Sequence, residues 1–253
     1  MNFVLTIAGS DSSAGAGIQA DIKTFFKLRV KGLSVLTGIT AQNSRGVFSI
    51  YPVPPEEIEK QLKALEEDFN IVGAKVGMVP NRKTVEVIHR FFKRRRDIFF
   101  LLDPVLISTS GYNLFLENTK EALKEKLIPL CNLITPNLDE AMALLGEKEK
   151  DNFKLAEKFY EKFKVPLLLK GGHKKGKEIE DIFFDGKKMK VFKGKRIKGE
   201  FHGTGCILSS AILSYISKGY ELIEAIKRGR AFLYNLLLKN SFSVSKKMKY
   251  IIF

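Results

Sequence analysis

Short apolar runs alternate with amphipathic stretches along nearly the whole chain, and the two periods are distinct. Residues 3–8, 34–40, 74–79, 99–102, 133–135 and 167–169 are runs of the length and aliphatic content of buried strands. Between them apolar residues recur every three or four positions: Ile18, Ile22, Phe25 and Phe26, then Ile58, Leu62, Leu65 and Phe69, then Val85, Ile88 and Phe92. That spacing puts each set on one face of a helix. Further helices are predicted over residues 120–127, 138–145, 153–163, 204–217 and 221–239. A hairpin is predicted over 179–197, with turns at Asp185-Gly186 and Lys193-Gly194. Strands alternating with crossover helices give an α/β fold with a central, mainly parallel sheet and helices on both faces. No low-complexity linker or repeat interrupts the pattern, so residues 1–253 are expected to form a single domain.

In such a sheet ligands collect at the carboxyl ends of the strands. The unusual residues fall there: "GSDSSAGAGIQAD" after the first strand, "TAQN" after the second, then "KVGM", "DPV", "TPNLDE", "KGGH" and "HGTGC". Most of them should line one rim.

Composition narrows the function. No stretch approaches the roughly 18 apolar residues of a membrane span. No basic region and small-residue cleavage site surround an early apolar stretch, so a cytoplasmic protein without a membrane partner is expected. Two cysteines, Cys131 and Cys206, and three histidines do not make a disulfide framework or a Cys/His zinc cluster. The formal charge of +15, from 43 Lys and Arg against 28 Asp and Glu, suits nucleic acid, an anionic membrane or phosphorylated small molecules equally. The densest basic run, Lys93-Arg94-Arg95-Arg96, closes a predicted helix and suits its negative end. No aromatic-interleaved basic stripe marks a nucleic-acid surface.

Each motif supports two local interpretations. Gly15-Ala16-Gly17 before a helix makes either a tight turn or a loop whose amides approach a ligand. It lacks the Gly-Lys-Ser/Thr ending of a Walker loop. Gly203-Thr204-Gly205 can converge amides on an anion at a helix start. Cys206 then occupies the first turn, where a lowered thiol pKa would suit a general base; a small packing cysteine is the alternative. Cys131, before an apolar strand, fits packing. Asn137 and Glu140 lie on one face of a first turn, either helping to hold hydrated magnesium or forming a capping box. Lys170 ends an apolar strand, either binding phosphate or merely leaving the sheet, and Asp103 ends another, either near a metal or accepting backbone bonds in a turn. His89 fits an exposed helix position, and the roles of His173 and His202 stay open.

Taken together, "TIAGSDSSAGAGIQADIKTF", "TAQN", "KVGM", "DPV", "LITPNLDEA", "LLLKGGH" and "HGTGC" occur in an order and at a spacing that resemble the hydroxymethylpyrimidine and phosphomethylpyrimidine kinases of thiamine biosynthesis, over nearly the whole chain. The resemblance implies a ribokinase-like fold, ATP as phosphoryl donor and Mg2+. It also implies phosphorylation of 4-amino-5-hydroxymethyl-2-methylpyrimidine and then of its monophosphate, in a homodimer or higher homo-oligomer. Some enzymes with these motifs accept pyridoxine, pyridoxal or pyridoxamine, which is the nearest alternative; a non-catalytic basic nucleotide- or nucleic-acid-binding protein is the remote one. Carried over by position, Gln42 binds the aminopyrimidine, with Gly9, Asp21 and Met78 near the ring or its hydroxymethyl group. Lys170 and Asn137 serve the nucleotide, and Glu140 and Asp103 the metal. Gly203, Thr204 and Gly205 form the anion hole, and Cys206 stands where most ribokinase-like enzymes carry an aspartate base. The chain departs from the family at Ala14 (usually Gly), Thr109 (usually Lys) and Phe201 (usually Thr). "SVSKKMKYIIF" replaces the glycine-rich segment that often follows the last helix.

Overall fold

The computed structural model describes residues 1–106, 114–115, 118–172, 176–239, 241–243 and 248–253; Thr109 and His173 lie outside them. Nine strands form one sheet in the order β3-β2-β1-β4-β5-β6-β7-β8-β9. They are β1 (Phe3–Asp11), β2 (Lys31–Asn43), β3 (Gly46–Pro52), β4 (Ile71–Val76), β5 (Phe99–Leu102), β6 (Leu133–Ile134), β7 (Leu167–Leu169), β8 (Glu178–Phe184) and β9 (Met189–Lys195). The six strands from β2 to β7 in that order run parallel, and β3, β8 and β9 add antiparallel edges.

Strand periodicity decides which helices pack where. Phe100 and Leu102 of β5 join a core with Ile58 and Leu62 of α2 (Pro55–Asp68), Val85 and Ile88 of α3 (Arg82–Arg94), Leu144 of α5 (Leu138–Leu145) and Phe159 of α6 (Asn152–Phe163). Leu101, pointing the other way, meets Leu208 and Ile212 of α7 (Thr204–Ser217) and Ile226 of α8 (Leu222–Lys239). Phe25 of α1 (Gly17–Lys27) packs on Val4 and Leu213 on that second face. Helices therefore cover both faces, as the alternation requires. In α7, residues 207–214 are all buried, because it lies between the sheet, α1 and α8.

Several local expectations need correction. Lys193-Gly194 is not a turn: both residues continue β9, opposite Glu180 and Ile179, and the one turn of this hairpin is at Asp185–Lys188. Residues 120–127 are not one α-helix. Helix α4 (Thr119–Ala122) passes into a π turn over Leu123–Leu127 and a 3-10 turn over Ile128–Leu130, where Pro129 has no amide to continue the ladder. The strand expected at 74–79 ends at Val76. β3 was not anticipated, and neither was a small sheet of β10 (Glu200–Phe201), β12 (Met248–Ile251) and β11 (Ser241–Ser243), in the order β10-β12-β11. In the basic run, Arg94 pairs with Glu66 and Arg95 with Asp97, at the negative end of α3.

Candidate active site

The carboxyl ends of β1, β2 and β4 form one wall. Asp11 ends β1 and is an acceptor hub. Its Oδ1 accepts from the Ser13 amide and hydroxyl at 2.8 and 2.7 Å, and its Oδ2 from the amides of Gly15 and Ala16 at 3.1 and 2.8 Å. This fixes the 11–16 turn as an Asx-type loop. Ser12 ties the loop to β2, donating to the Gln42 carbonyl at 2.8 Å and accepting its amide at 2.9 Å. Gly9 lets Met78 close in, since a Cβ at Gly9 would lie 2.7 Å from Met78 Cε. Met78 adds an apolar patch with Val47 and Leu114.

His202 completes this wall. Its Nε2 lies 2.8 Å from Asp11 Oδ2 and 2.8 Å from the Gln42 side-chain amide nitrogen. A ring nitrogen carries at most one proton, and giving it to the carboxylate leaves the Gln42 N–H groups for another acceptor. Burial acts to raise the Asp11 pKa, but hydrogen bonds from His202 and Ser13 outweigh it and bring the value down to about 2. Ala14 sits at φ +58°, a left-handed conformation that explains why glycine is usual there.

The second wall is built over two ion pairs, one fully buried and one with its ammonium partly exposed. Lys170 Nζ meets Asp103 Oδ1 at 2.8 Å, and Thr135 donates to the same oxygen at 3.0 Å. Ser209 of α7 donates to Asp103 Oδ2 at 3.1 Å. Lys75 Nζ meets Asp21 Oδ1 at 2.6 Å, and Ser210, the next residue of α7, donates to that oxygen at 2.7 Å. Consecutive serines of one helix thus hold two carboxylates. The N-terminus of α7 lies above them: a Cβ at Gly205 would stand 3.4 Å from Lys170 Nζ and 3.8 Å from Asp103 Oδ2.

Gly203, the N-cap of α7, has φ +79°, and a Cβ there would collide with the Gly15 carbonyl. Glycine is required on both counts. It brings the starts of α1 and α7 together, joining the two walls, and leaves the first-turn amides of α7 without a side-chain cap. Thr204, half-buried, is the first residue of that turn.

Two site expectations change. Asp21 is not a ring contact: it is fully buried, with Thr6, Ser210 and Lys75 as partners. Nor is the Cys206 thiol acidic. Burial pushes it up to about 11, Asp21 and Asp103 add to that, and Lys75 opposes it. Burial raises the Cys131 thiol as well, which fits packing. Asn137 and Glu140 do form a capping box, at 2.8 and 2.7 Å. Residues Asn137 and Lys170 meet in a parallel bridge, so the box borders the ion pair. Burial acts to raise the Asp103 pKa, but Lys170, Lys75 and Thr135 bring it below the usual value. For Lys170, burial is outweighed by Asp103 and Glu140, which raise it.

Burial pushes Glu140 up to about 7, with Asp103 adding and Lys170 opposing. A carboxyl whose folded pKa lies above its ordinary 4.5 contributes stability below that value and loses it as pH rises through about 7. Glu140→Gln keeps the acceptor of the capping box and removes the buried charge. At pH 8 the variant is expected to exceed the parent by about 1–3 kcal/mol, the gain vanishing near pH 4. Denaturant unfolding across that range checks it, and a pH-independent difference would contradict it.

Asp11, Lys75, Thr135, Ser209 and Ser210 were not singled out from sequence, and His202 was left open. Only Asp-Ser-Ser after a strand carried a local signal, that of an Asx turn. Among the described residues no group of three or more His, Cys, Asp or Glu is arranged to hold a metal, and no helix is long and apolar enough to cross a membrane.

The chain matches the phosphomethylpyrimidine kinase family over residues 11–251. A hydroxymethylpyrimidine/phosphomethylpyrimidine kinase of Aquifex aeolicus is 42% identical over 246 residues, 96% of each chain. The crystal structure of phosphomethylpyrimidine kinase from Clostridium difficile 630 superposes with TM-score 0.82 at 39% identity, covering 93% of this chain and 99% of that one. An ADP complex of Bacillus subtilis pyridoxal kinase gives TM-score 0.88 at 32% identity, covering 99% and 96%. The sheet order, the two-walled rim and these likenesses define a ribokinase-like vitamin kinase, a phosphotransferase. Within that class, the chain belongs to the phosphomethylpyrimidine kinase family.

Proposed function

We propose that the protein phosphorylates 4-amino-5-hydroxymethyl-2-methylpyrimidine and then its monophosphate, with ATP as donor. The observation that carries this is the division of the rim. Gln42, Gly9 and Met78 form a wall with a side-chain amide beside His202 and an apolar patch, and Lys170 faces the uncapped N-terminus of α7 across from it. Gln42 reads the aminopyrimidine edge. Gly203, Thr204, Gly205 and Lys170 hold the transferred phosphoryl group, and Asn137, beside Lys170, borders the nucleotide. The substrate hydroxyl oxygen bonds to the γ-phosphorus as the bond to ADP breaks, and the hydroxyl proton passes to the Cys206 thiolate. Positioning and charge neutralisation carry most of such a transfer.

Two buried carboxylates, Asp103 and Glu140, would hold a hydrated magnesium ion beside the nucleotide, and such a cation would favour ionised Glu140. Bound there, magnesium supplies neutralisation of phosphate charge. The same proposal makes the protein cytoplasmic and a homodimer or larger, with Ile39, Phe48 and Tyr51 on β2 and β3 as exposed apolar surface for a second copy.

Product analysis by mass spectrometry with ATP and magnesium, offering the pyrimidine, its monophosphate and pyridoxal in parallel, tests the reading. Mono- and diphosphate are expected. The fit to pyridoxal kinase favours the pyridine as the second reading, and pyridoxal phosphate as sole product would establish it instead. Gln42→Ala is expected to raise KM for the pyrimidine about five- to a hundredfold, the effect of an unpaired buried polar partner, with little change for ATP. Equal effects on both substrates would remove Gln42 from the ring pocket.

A further inference from the structure

The 11–16 loop is tied down from a segment nearly 240 residues away. β12 runs parallel to β10, with Phe201 opposite Lys249, and the His202 amide donates to the Lys249 carbonyl at 3.1 Å. Next along β12, Tyr250 is only 8% exposed. Its hydroxyl donates to Ser13 Oγ at 2.8 Å, and Ser13 Oγ donates to Asp11 Oδ1 at 2.7 Å. The Tyr250 ring packs against His202, with centroids 5.3 Å apart. Both rings close over Gly15, where a Cβ would lie 2.8 Å from Tyr250 Cε1 and overlap His202 Cδ2.

A serine hydroxyl has one proton. While Ser13 accepts from Tyr250, that proton is directed to Asp11; without the phenol it is free to rotate toward water. Asp11 in turn holds His202 on its other oxygen, and His202 stands against Gln42. We propose that Tyr250 is a positioning residue for the ring-binding wall, fixing the Asp11 carboxylate through Ser13 and the His202 ring by packing, and so setting the orientation of Gln42. This rests on the assignment of Gln42 to the ring.

Tyr250→Phe removes the hydroxyl and keeps the ring. With whichever ring compound the parent turns over, KM for that compound is expected to rise about three- to tenfold, the size of one net hydrogen bond, while kcat and the KM for ATP stay within about twofold. Ser13→Ala should give a similar change, and the double variant should not add to it. Amide hydrogen exchange, which needs no substrate, should quicken at Gly15 and Ala16 and stay unchanged in α8. Unchanged exchange, an equal rise in both KM values, or faster exchange with an unchanged KM for the ring would each overturn the proposal. If the parent phosphorylates no ring compound, the substrate reading fails, and exchange at Gly15 and Ala16 still decides whether Tyr250 orders the loop.

Discussion

Replacing Cys206 by serine is expected to lower turnover about 10²–10⁴-fold, the usual worth of a general base, with ATP affinity largely intact. The low end of that range is favoured, because a loose phosphoryl-transfer transition state asks little of the base until late. The pH profile carries the sharper expectation. With the thiol pushed up to about 11, only the thiolate fraction accepts a proton, roughly one molecule in ten thousand at pH 7. Turnover of the parent should therefore climb nearly tenfold per unit from pH 7 toward 9.5, and the serine variant should be low and flat. Iodoacetamide labelling of Cys206 should follow the same rise. The charges facing the thiol are Lys75 and Lys170 against Asp21 and Asp103, so net neutrality leaves burial as the deciding influence. A serine variant with unchanged turnover across the range reduces Cys206 to packing and leaves the transfer to the α7 amides and Lys170.

What the sequence showed and what it hid follow one physical division. Features set within a few residues were legible: the helical faces of α2 and α3, that of α1 except for Phe26, which is exposed rather than on the buried face, and the Asn137/Glu140 box, whose partners are three residues apart. Features set by distant partners were not. Nothing local to Lys75 says that it is buried against Asp21, 54 residues earlier, or that Ser209 and Ser210 each take a different carboxylate. The Cys206 error has the same origin. A helix start lowers a thiol pKa, but the sequence does not show how dry the site is, and here desolvation outweighs that effect. β3 was missed because only part of its length is buried, so its apolar pattern is weak. β12 was missed because its two partners, β10 and β11, are only two and three residues long.

The two ion pairs under α7 explain why so polar a base survives in the centre of the sheet. Each carboxylate holds a serine of the second turn, so the first turn, which carries Gly205 and Cys206, is held relative to Lys170. A purely apolar seat would pack as well but would fix neither rotation nor height of the helix.

Lys75→Met should test that seat with the largest expected loss of stability, about 3–5 kcal/mol, because it strands a carboxylate in the core. Lys75 and Asp21 are both fully buried, and among the described residues the ammonium is the one cation bonded to that carboxylate; Thr6 and Ser210 supply hydroxyls. Burial acts to lower the Lys75 pKa, yet the Asp21 and Asp103 carboxylates outweigh it and hold the ammonium charged. The melting temperature is expected to fall by roughly 6–20 °C for a chain of this size. Lys75→Met combined with Asp21→Asn should regain more than half of the loss, since the amide oxygen still accepts from Ser210, its NH2 group can donate to the Thr6 hydroxyl, and no charge is left to compensate. Asp21→Asn alone should lower stability and shift KM for the pyrimidine no more than KM for ATP. Denaturant unfolding and steady-state kinetics on the three variants decide the matter: a Lys75→Met protein within 1 kcal/mol of the parent removes the ion pair as the seat of α7, and a loss at Asp21→Asn confined to the pyrimidine KM returns that aspartate to the ring pocket.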